Sequence, residues 1–257
     1  MNIIVPIKQI PNLTDDLELN SDGTGLDPDA LTFVLNEFDE HAIEQAVLIK
    51  EAGGGSVTVL GVDTTETLDG ALHTALAKGA DKVAKIPHDF EPGLASLIQA
   101  KMLAEAIRGM SADLVLTGVQ AADDRDGNLG PMIAAHLGWP YVGVVTGVTV
   151  GDGRAVIHKE YAGGVMAEFE AALPVVIGVQ AATQPPRYAP ISKIRQMAKE
   201  SKITEMDVNA DAGGAGAGSS VKKMYKPQAA GHAEMLAGDG KAVAEQIHKL
   251  LSERGLL

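Results

Sequence analysis

The sequence predicts a doubly wound α/β fold built on a mostly parallel sheet, with an edge β-hairpin and an extended C-terminal arm. Three observations carry this. Short apolar, β-branched runs alternate with longer amphipathic stretches; those runs are almost continuously apolar, as strands buried on both faces must be; and the alternation gives way to a glycine-rich tract late in the chain.

The first run, Ile3 to Ile7, reads as the opening strand. Asn36-Glu-Phe-Asp39 then opens a helix over Asp39 to Ala52, with Ile43, Ala46 and Val47 on one face and Glu40, Glu44 and Glu51 elsewhere. Asn36 suits an N-cap, and Asp39, three residues on, suits the positive end of the helix dipole. A ligand contact by the same helix start is compatible with capping. Gly53-Gly54-Gly55 follows a helix and precedes the next strand, Val57 to Val62, so it is a helix stop rather than a dinucleotide fingerprint. Thr65 to Lys78 is the next helix, Lys82 to Ile86 the next strand, Gly93 to Arg108 a further helix, and Asp113 to Gly118 a strand.

Gly118 to Pro131 (GVQAADDRDGNLGP) joins that strand to a helix over Met132 to Leu137. In such folds ligands sit beyond the carboxyl ends of the strands, here after Ile7, Val62 and Gly118. An EF-hand register with Gly127 at its sixth position would put Ala122 first and Ile133 twelfth, where carboxylates are required, so calcium is excluded. Backbone N–H groups of Gly127 to Gly130 and the following helix start suit an anion such as phosphate, with Asp123, Asp124 and Asp126 turned away or on ribose hydroxyls. A plain acidic surface loop is the other reading. Tyr141 to Val150 and Pro174 to Val179 read as strands, and Arg154 to Ala172 as an antiparallel hairpin at a sheet edge, turning at Gly163-Gly164.

The compact domain should end near Glu205, spanning residues 1–205, and residues 206–257 should form a linker and arm. Asp207 to Ser220 is Gly/Ala/Ser-rich and reads as a flexible linker. Lys241 to Leu251 beyond it is a helix with Val243, Ile247, Leu250 and Leu251 on one side. That face needs cover from the chain's own core or from a partner chain. Between Pro185 and Lys202, five basic residues (Arg187, Lys193, Arg195, Lys199, Lys202) face one acid, Glu200, a local net of +4. The segment is either a solvated basic helix or a rigid loop that docks an acidic partner through Ile191.

Composition narrows the chemistry. The 257 residues contain no cysteine, which excludes disulfides, Cys-ligated iron–sulfur clusters and a thiol nucleophile. Any redox work must use a borrowed group. With 21 Lys+Arg against 34 Asp+Glu the net charge is -13, unsuited to a broad nucleic-acid face or an anionic membrane. The start MNIIVPIKQIP has no basic n-region and no A-x-A site, and no apolar run reaches about 18 residues, so a cytoplasmic protein without membrane insertion is expected. The seven histidines, at 41, 73, 88, 136, 158, 232 and 248, form no metal or catalytic motif, and neither a P-loop nor a G-x-S-x-G elbow is present. The residues name no catalytic group and no metal site.

The ordered series IKQIP, LNEFDEHAIEQAVLIK, TALAKGAD, DLVLTGVQAADD, HLGWP, KEYAGGVMAEFEAALPVVIGV, PPRYAPISKIRQMAKE and VKKMYKP resembles the β subunit of electron transfer flavoprotein (ETF) over most of the chain. The resemblance implies a Rossmann-like, adenine-nucleotide-α-hydrolase-like fold in a heterodimer with an ETF α subunit. It implies FAD mainly on the α subunit and a structural AMP on this one, electrons arriving from acyl-CoA or other flavin dehydrogenases and leaving to an ETF–quinone oxidoreductase or similar acceptor. The AMP site would fall on Pro6, on Asn36, Glu37, Phe38 and Asp39, on Asp63, and on Gly118, Val119, Gln120, Ala121, Ala122, Asp123, Gly127, Asn128 and Leu129. Leu13 and Phe38 would approach the flavin. A recognition loop at about 184–200 would dock dehydrogenases through Arg187, Tyr188, Ile191, Lys193 and Arg195, with Ile191 as its apolar anchor. Flavin-bifurcating relatives hold a second FAD in place of AMP and carry a D-G-x-T-A-Q-V-G-P type run; Asp126-Gly127 and Gly130-Pro131 keep the ends of that run without its T-A-Q centre, which favours AMP. A stand-alone ATP-binding α/β enzyme, or an interaction protein with a vestigial pocket, would share the topology and the acidic loop.

Overall fold

A computed structural model describes residues 1–91, 94–124, 126–208, 221–227, 231 and 233–257. Gly93, Arg125, His232 and the linker from residue 209 to 220 lie outside the described residues. In chain order the elements are β1 (Asn2–Ile7), β2 (Gln9–Pro11), β3 (Phe33–Leu35), α1 (Glu37–Gly53), β4 (Ser56–Asp63), α2 (Leu68–Lys78), β5 (Lys82–Pro87), α3 (Ser96–Arg108), β6 (Leu114–Gly118) and α4 (Leu129–Leu137). They continue as β7 (Tyr141–Val145), β8 (Gly147–Gly151), β9 (Arg154–Tyr161), β10 (Val165–Ala172), β11 (Val175–Val179), α5 (Ile191–Glu200), β12 (Thr204–Glu205) and α6 (Gly240–Glu253).

Seven strands form one sheet in the order β12-β5-β4-β1-β6-β11-β7, and every neighbouring pair is parallel. The period of two in β1 explains why its run is unbroken. Ile3, Val5 and Ile7 pack with Ile43, Ala46 and Val47 of α1 and with Leu72 and Leu76 of α2, while Ile4 faces the other way onto Leu103 and Ile107 of α3 and Ile133 of α4. Both faces of the sheet are therefore covered. The chain proceeds from β1 outward through β4 to β5, then crosses back to place β6 on the opposite side of β1. This reversal makes the carboxyl ends of β1 and β6 the switch point, where the loops diverge and leave a crevice.

Two expectations require correction. The single strand expected over Tyr141 to Val150 is two strands in different sheets. Val144 takes a left-handed φ of 61° and the β11–β7 register shifts at Gly178/Val179, so the chain turns out of the parallel sheet near Thr146. An alternation of apolar side chains carries no mark of a change of sheet. The hairpin β9–β10 turns where expected, yet it is not an edge of the large sheet: with β8 it forms a separate three-stranded antiparallel sheet. The small antiparallel pair β2–β3 was not anticipated; its strands are only three residues long and lie 21 residues apart in the chain.

Among the described residues, Met224 N–H of the C-terminal arm donates to Gly23 O at 2.7 Å and Lys226 pairs with Asp16 at 3.2 Å, so the arm touches the body there. None of the side chains of α6 is buried; Ile247 and Leu250 remain 45% and 40% exposed.

Candidate functional site

At the switch point the sequence leaves an apolar strand and meets a lysine. Lys8 follows the last residue of β1 and is 7% exposed. Its ammonium lies 2.8 Å from Asp123 Oδ1 and 3.2 Å from Asp124 Oδ2. Burial works against this charge, but the two carboxylates outweigh it and hold the Lys8 pKa above its ordinary value. The pairing ties the end of β1 to the loop that leaves β6. It also turns Asp123 and Asp124 onto a cation of the same chain, so neither stands as a free negative charge at the crevice.

Asp39, in the first turn of α1, is 4% exposed. Its two oxygens accept separate backbone donors, Oδ2 from Lys8 N–H at 2.9 Å and Oδ1 from Gly118 N–H at 3.2 Å. One side chain therefore spans the ends of β1 and β6. Burial pushes its carboxyl up to about 7, against the pull of the Lys8 and Gly118 N–H groups, the Asn36 side chain and the Lys8 ammonium. Asn36 is the N-cap residue, but its side chain makes no capping bond; Nδ2 donates to Gln120 O at 2.9 Å instead. The expectation that Asn36 caps with its side chain is thus corrected: the amide is oriented to donate to the carbonyl of the neighbouring loop, and its oxygen makes no capping bond with the first turn.

Gly118 is required by this arrangement. A Cβ there would lie 2.3 Å from Asp39 Oδ1, 2.9 Å from Phe38 Cβ and 3.0 Å from Asp39 N, and backbone atoms cannot yield as a flexible side chain does. Gly127 has φ +62° and a Cβ there would meet Val119 O at 2.9 Å, so this turn also needs glycine. Asp126 organises the rest of the loop: Oδ1 accepts from Asn128 N–H at 2.9 Å and Oδ2 from the Ser96 hydroxyl at 3.0 Å. The first-turn N–H groups of α4, which starts at Leu129, have no carbonyl of their own helix to bond and suit an anion.

Asn36, Asp39, Gly118, Val119, Gln120, Ala121, Gly127, Asn128 and Leu129 line one narrow cleft together with Lys8, Asp124 and Asp126. Pro6, Glu37, Phe38, Asp63, Ala122 and Asp123 are outside its lining. Pro6 is inside β1, paired with Leu60. Asp63 ends β4, but its carboxylate accepts from Leu68 N–H of α2 and pairs with Lys85 at 3.3 Å. Lys8 escaped sequence reasoning; its signal was a lone cation ending an apolar strand. Leu13 is 61% exposed in the loop after β2.

On the segment leading to α5, Tyr188 and Ile191 are 82% and 62% exposed, and Lys193 and Arg195 are exposed as well. Arg187 does not join them. Its guanidinium turns onto α1, pairing with Glu44 at 2.9 Å and Glu51 at 2.7 Å, and its pKa rises because those carboxylates hold the proton in place. Among the described residues no group of three or more His, Asp or Glu is arranged to hold a metal, and no helix is long and apolar enough to cross a membrane.

The chain matches the family model of the electron transfer flavoprotein domain over residues 26–211. It is 33% identical to the electron transfer flavoprotein subunit beta of Methylophilus methylotrophus over 98% of both chains. It is 34% identical to the subunit of the same name from Syntrophomonas wolfei over 79% of both. A probable subunit beta from Saccharomyces cerevisiae is 31% identical over 82% of this chain and 81% of the relative. A family match across most of the sequence, joined to an α/β fold whose cleft opens at the β1/β6 switch point, leads to one conclusion: the chain belongs to the electron transfer flavoprotein family, as a β subunit serving flavin-linked electron transfer.

Proposed function

We propose that this chain holds AMP as a structural nucleotide in the β1/β6 cleft, pairs with an ETF α subunit, and helps to complete the FAD site that lies mainly on that subunit. The observation that carries the reading is the cradle itself. Asp39 joins the two strand ends, Gly118 and Gly127 leave their backbone bare, and Lys8 draws Asp123 and Asp124 onto itself and offsets half of their charge, so that the N–H groups at the start of α4 can face a phosphate. The absence of the T-A-Q centre between Asp126-Gly127 and Gly130-Pro131 supports AMP over a second FAD. Asn36 Nδ2 and the Gln120 carbonyl fix one wall and Asp126 the other.

A bound flavin would supply the redox step, since it takes one or two electrons and can link a two-electron dehydrogenation to one-electron carriers. This chain's residues bind, orient and dock. Tyr188, Ile191, Lys193 and Arg195 form an exposed basic and apolar surface suited to acyl-CoA or other flavin dehydrogenases with acidic faces. A quinone oxidoreductase or similar carrier would accept the electrons. The exposed apolar side of α6, with Ile247 and Leu250, suits the α subunit. The test is co-purification with the α subunit, then acid release and mass identification of the nucleotides. One AMP and one FAD per heterodimer supports the reading; two FAD and no AMP assigns the cleft to a second flavin, and no AMP with one FAD rejects it.

A further inference from the structure

We infer that Arg187 is a positioning residue that tethers the docking segment along α1, rather than a contact for the docked protein; this rests on the docking reading above. Three side chains on one face of α1 receive backbone amides from the segment that follows β11. His41 Nδ1 accepts from Ala182 N–H at 3.2 Å, Gln45 Oε1 from Thr183 N–H at 3.1 Å, and Glu44 Oε2 from Arg187 N–H at 2.9 Å. Spacings of three and four residues place all three on the same side of the helix. The Arg187 side chain then closes the run. Nε donates to both Glu44 oxygens at 3.1 and 3.0 Å, while Nη1 and Nη2 donate to Glu51 at 2.7 and 3.1 Å.

Glu44 is 3% exposed, and Arg187 is the cation that meets it there. A planar guanidinium with five N–H donors can bond both oxygens of two carboxylates at once, which the three donors of a lysine cannot. Next in the chain, Ala189 is 7% exposed and plugs the segment into the body, while the flanking Tyr188 and Ile191 point out at 82% and 62% exposure. The alternation of Arg187 in, Tyr188 out, Ala189 in and Ile191 out is what a short rigid platform requires. A segment held this way loses little conformational freedom when a protein docks on it, so the tether acts on association.

The experiment uses the heterodimer and three variants: Arg187→Met, Arg187→Met with Glu44→Gln, and Glu51→Gln. The double variant leaves no buried carboxylate stranded, since Glu51 is exposed, and Glu51→Gln keeps the Glu44 pair, so the set remains informative if the single Arg187 variant folds poorly. Hydrogen exchange at the Ala182, Thr183 and Arg187 amides should rise about tenfold or more in the double variant without any dehydrogenase present. With an acyl-CoA dehydrogenase as electron donor, KM should rise about tenfold while kcat stays within about twofold and FAD content is unchanged. The dependence of kcat/KM on ionic strength should match the wild type, whereas Lys193→Met should flatten it. Unchanged exchange at those amides overturns the tether. A flattened salt dependence in the Arg187 variants makes Arg187 a direct contact and overturns the positioning role. Faster exchange with an unchanged KM in both the double variant and Ile191→Ala rejects the docking reading and the positioning role with it, and leaves only the tether.

Discussion

Replacing Lys8 with methionine keeps most of the apolar stem and removes the cation that joins β1 to the loop after β6. Asp123 and Asp124, 14% and 19% exposed, would lose the ammonium 2.8 and 3.2 Å away. Removing one partner of a buried ion pair costs about 3–5 kcal/mol, because the remaining charge is left uncompensated. Here two carboxylates are stranded, but both retain some contact with water, so the lower end, about 3 kcal/mol, is expected. At about 2–4 °C per kcal/mol for a chain of this size, Tm should fall by about 6–12 °C. Differential scanning calorimetry of the purified heterodimer at pH 7 measures it, at several scan rates in case unfolding is irreversible. The Lys8 pKa is raised in the folded state, so its contribution is complete below the ordinary value of 10.5 and is lost only as pH climbs above that. A triple variant, Lys8→Met with Asp123→Asn and Asp124→Asn, should recover most of the loss. A fall of under about 2 °C in the single variant, or no recovery in the triple, refutes the reasoning.

Asp39 titrates in the opposite sense to an ordinary surface acid. Burial raises its carboxyl from 3.8 to about 7, so the folded protein holds a proton that the unfolded chain releases, and stability should fall as pH rises from about 4 to about 7. The change is bounded at about 4 kcal/mol, and Asp39→Asn should abolish this slope, which urea midpoints at pH 5 and pH 7.5 would show; a slope unchanged in the variant contradicts it. Ile191→Ala should slow reduction of the heterodimer by a dehydrogenase while FAD content stays constant, as stopped-flow flavin absorbance would report; equal rates argue against the anchor. Truncation after Asp207 should weaken the heterodimer if the face of α6 that carries Ile247 and Leu250 covers the α subunit. An association constant unchanged in sedimentation would exclude that role.

Much of the topology was readable because burial on both sheet faces leaves a direct mark, an unbroken apolar run such as Ile3 to Ile7 or Val175 to Val179. The alternation of elements pointed to three strand ends, after Ile7, Val62 and Gly118; the strand order seen in the structure narrows these to the crevice between β1 and β6, where the loop from Gly118 to Leu129 comes to lie. What escaped depends on long-range pairing. Lys8 and Asp123 are 115 residues apart, and Arg187 and Glu44 are 143 apart, so no local pattern announces either pair. The net +4 between Pro185 and Lys202 was visible as charge. That one of its cations is spent on α1, leaving the others to face outward, is a property of the packing. The division of Tyr141 to Val150 between two sheets turns on the backbone at Val144, a residue whose type favours the opposite sign of φ.

The claim that most needs testing is that the nucleotide sits in the backbone cradle of this chain. Gly118→Ala places a methyl group 2.3 Å from Asp39 Oδ1 and 3.0 Å from Asp39 N, forcing β6 and the start of α1 apart. The ratio of AMP to FAD released from the purified variant heterodimer measures the effect. The account predicts near-stoichiometric AMP in the wild type and its loss in the variant with FAD retained; a variant heterodimer that keeps one AMP per FAD would contradict it.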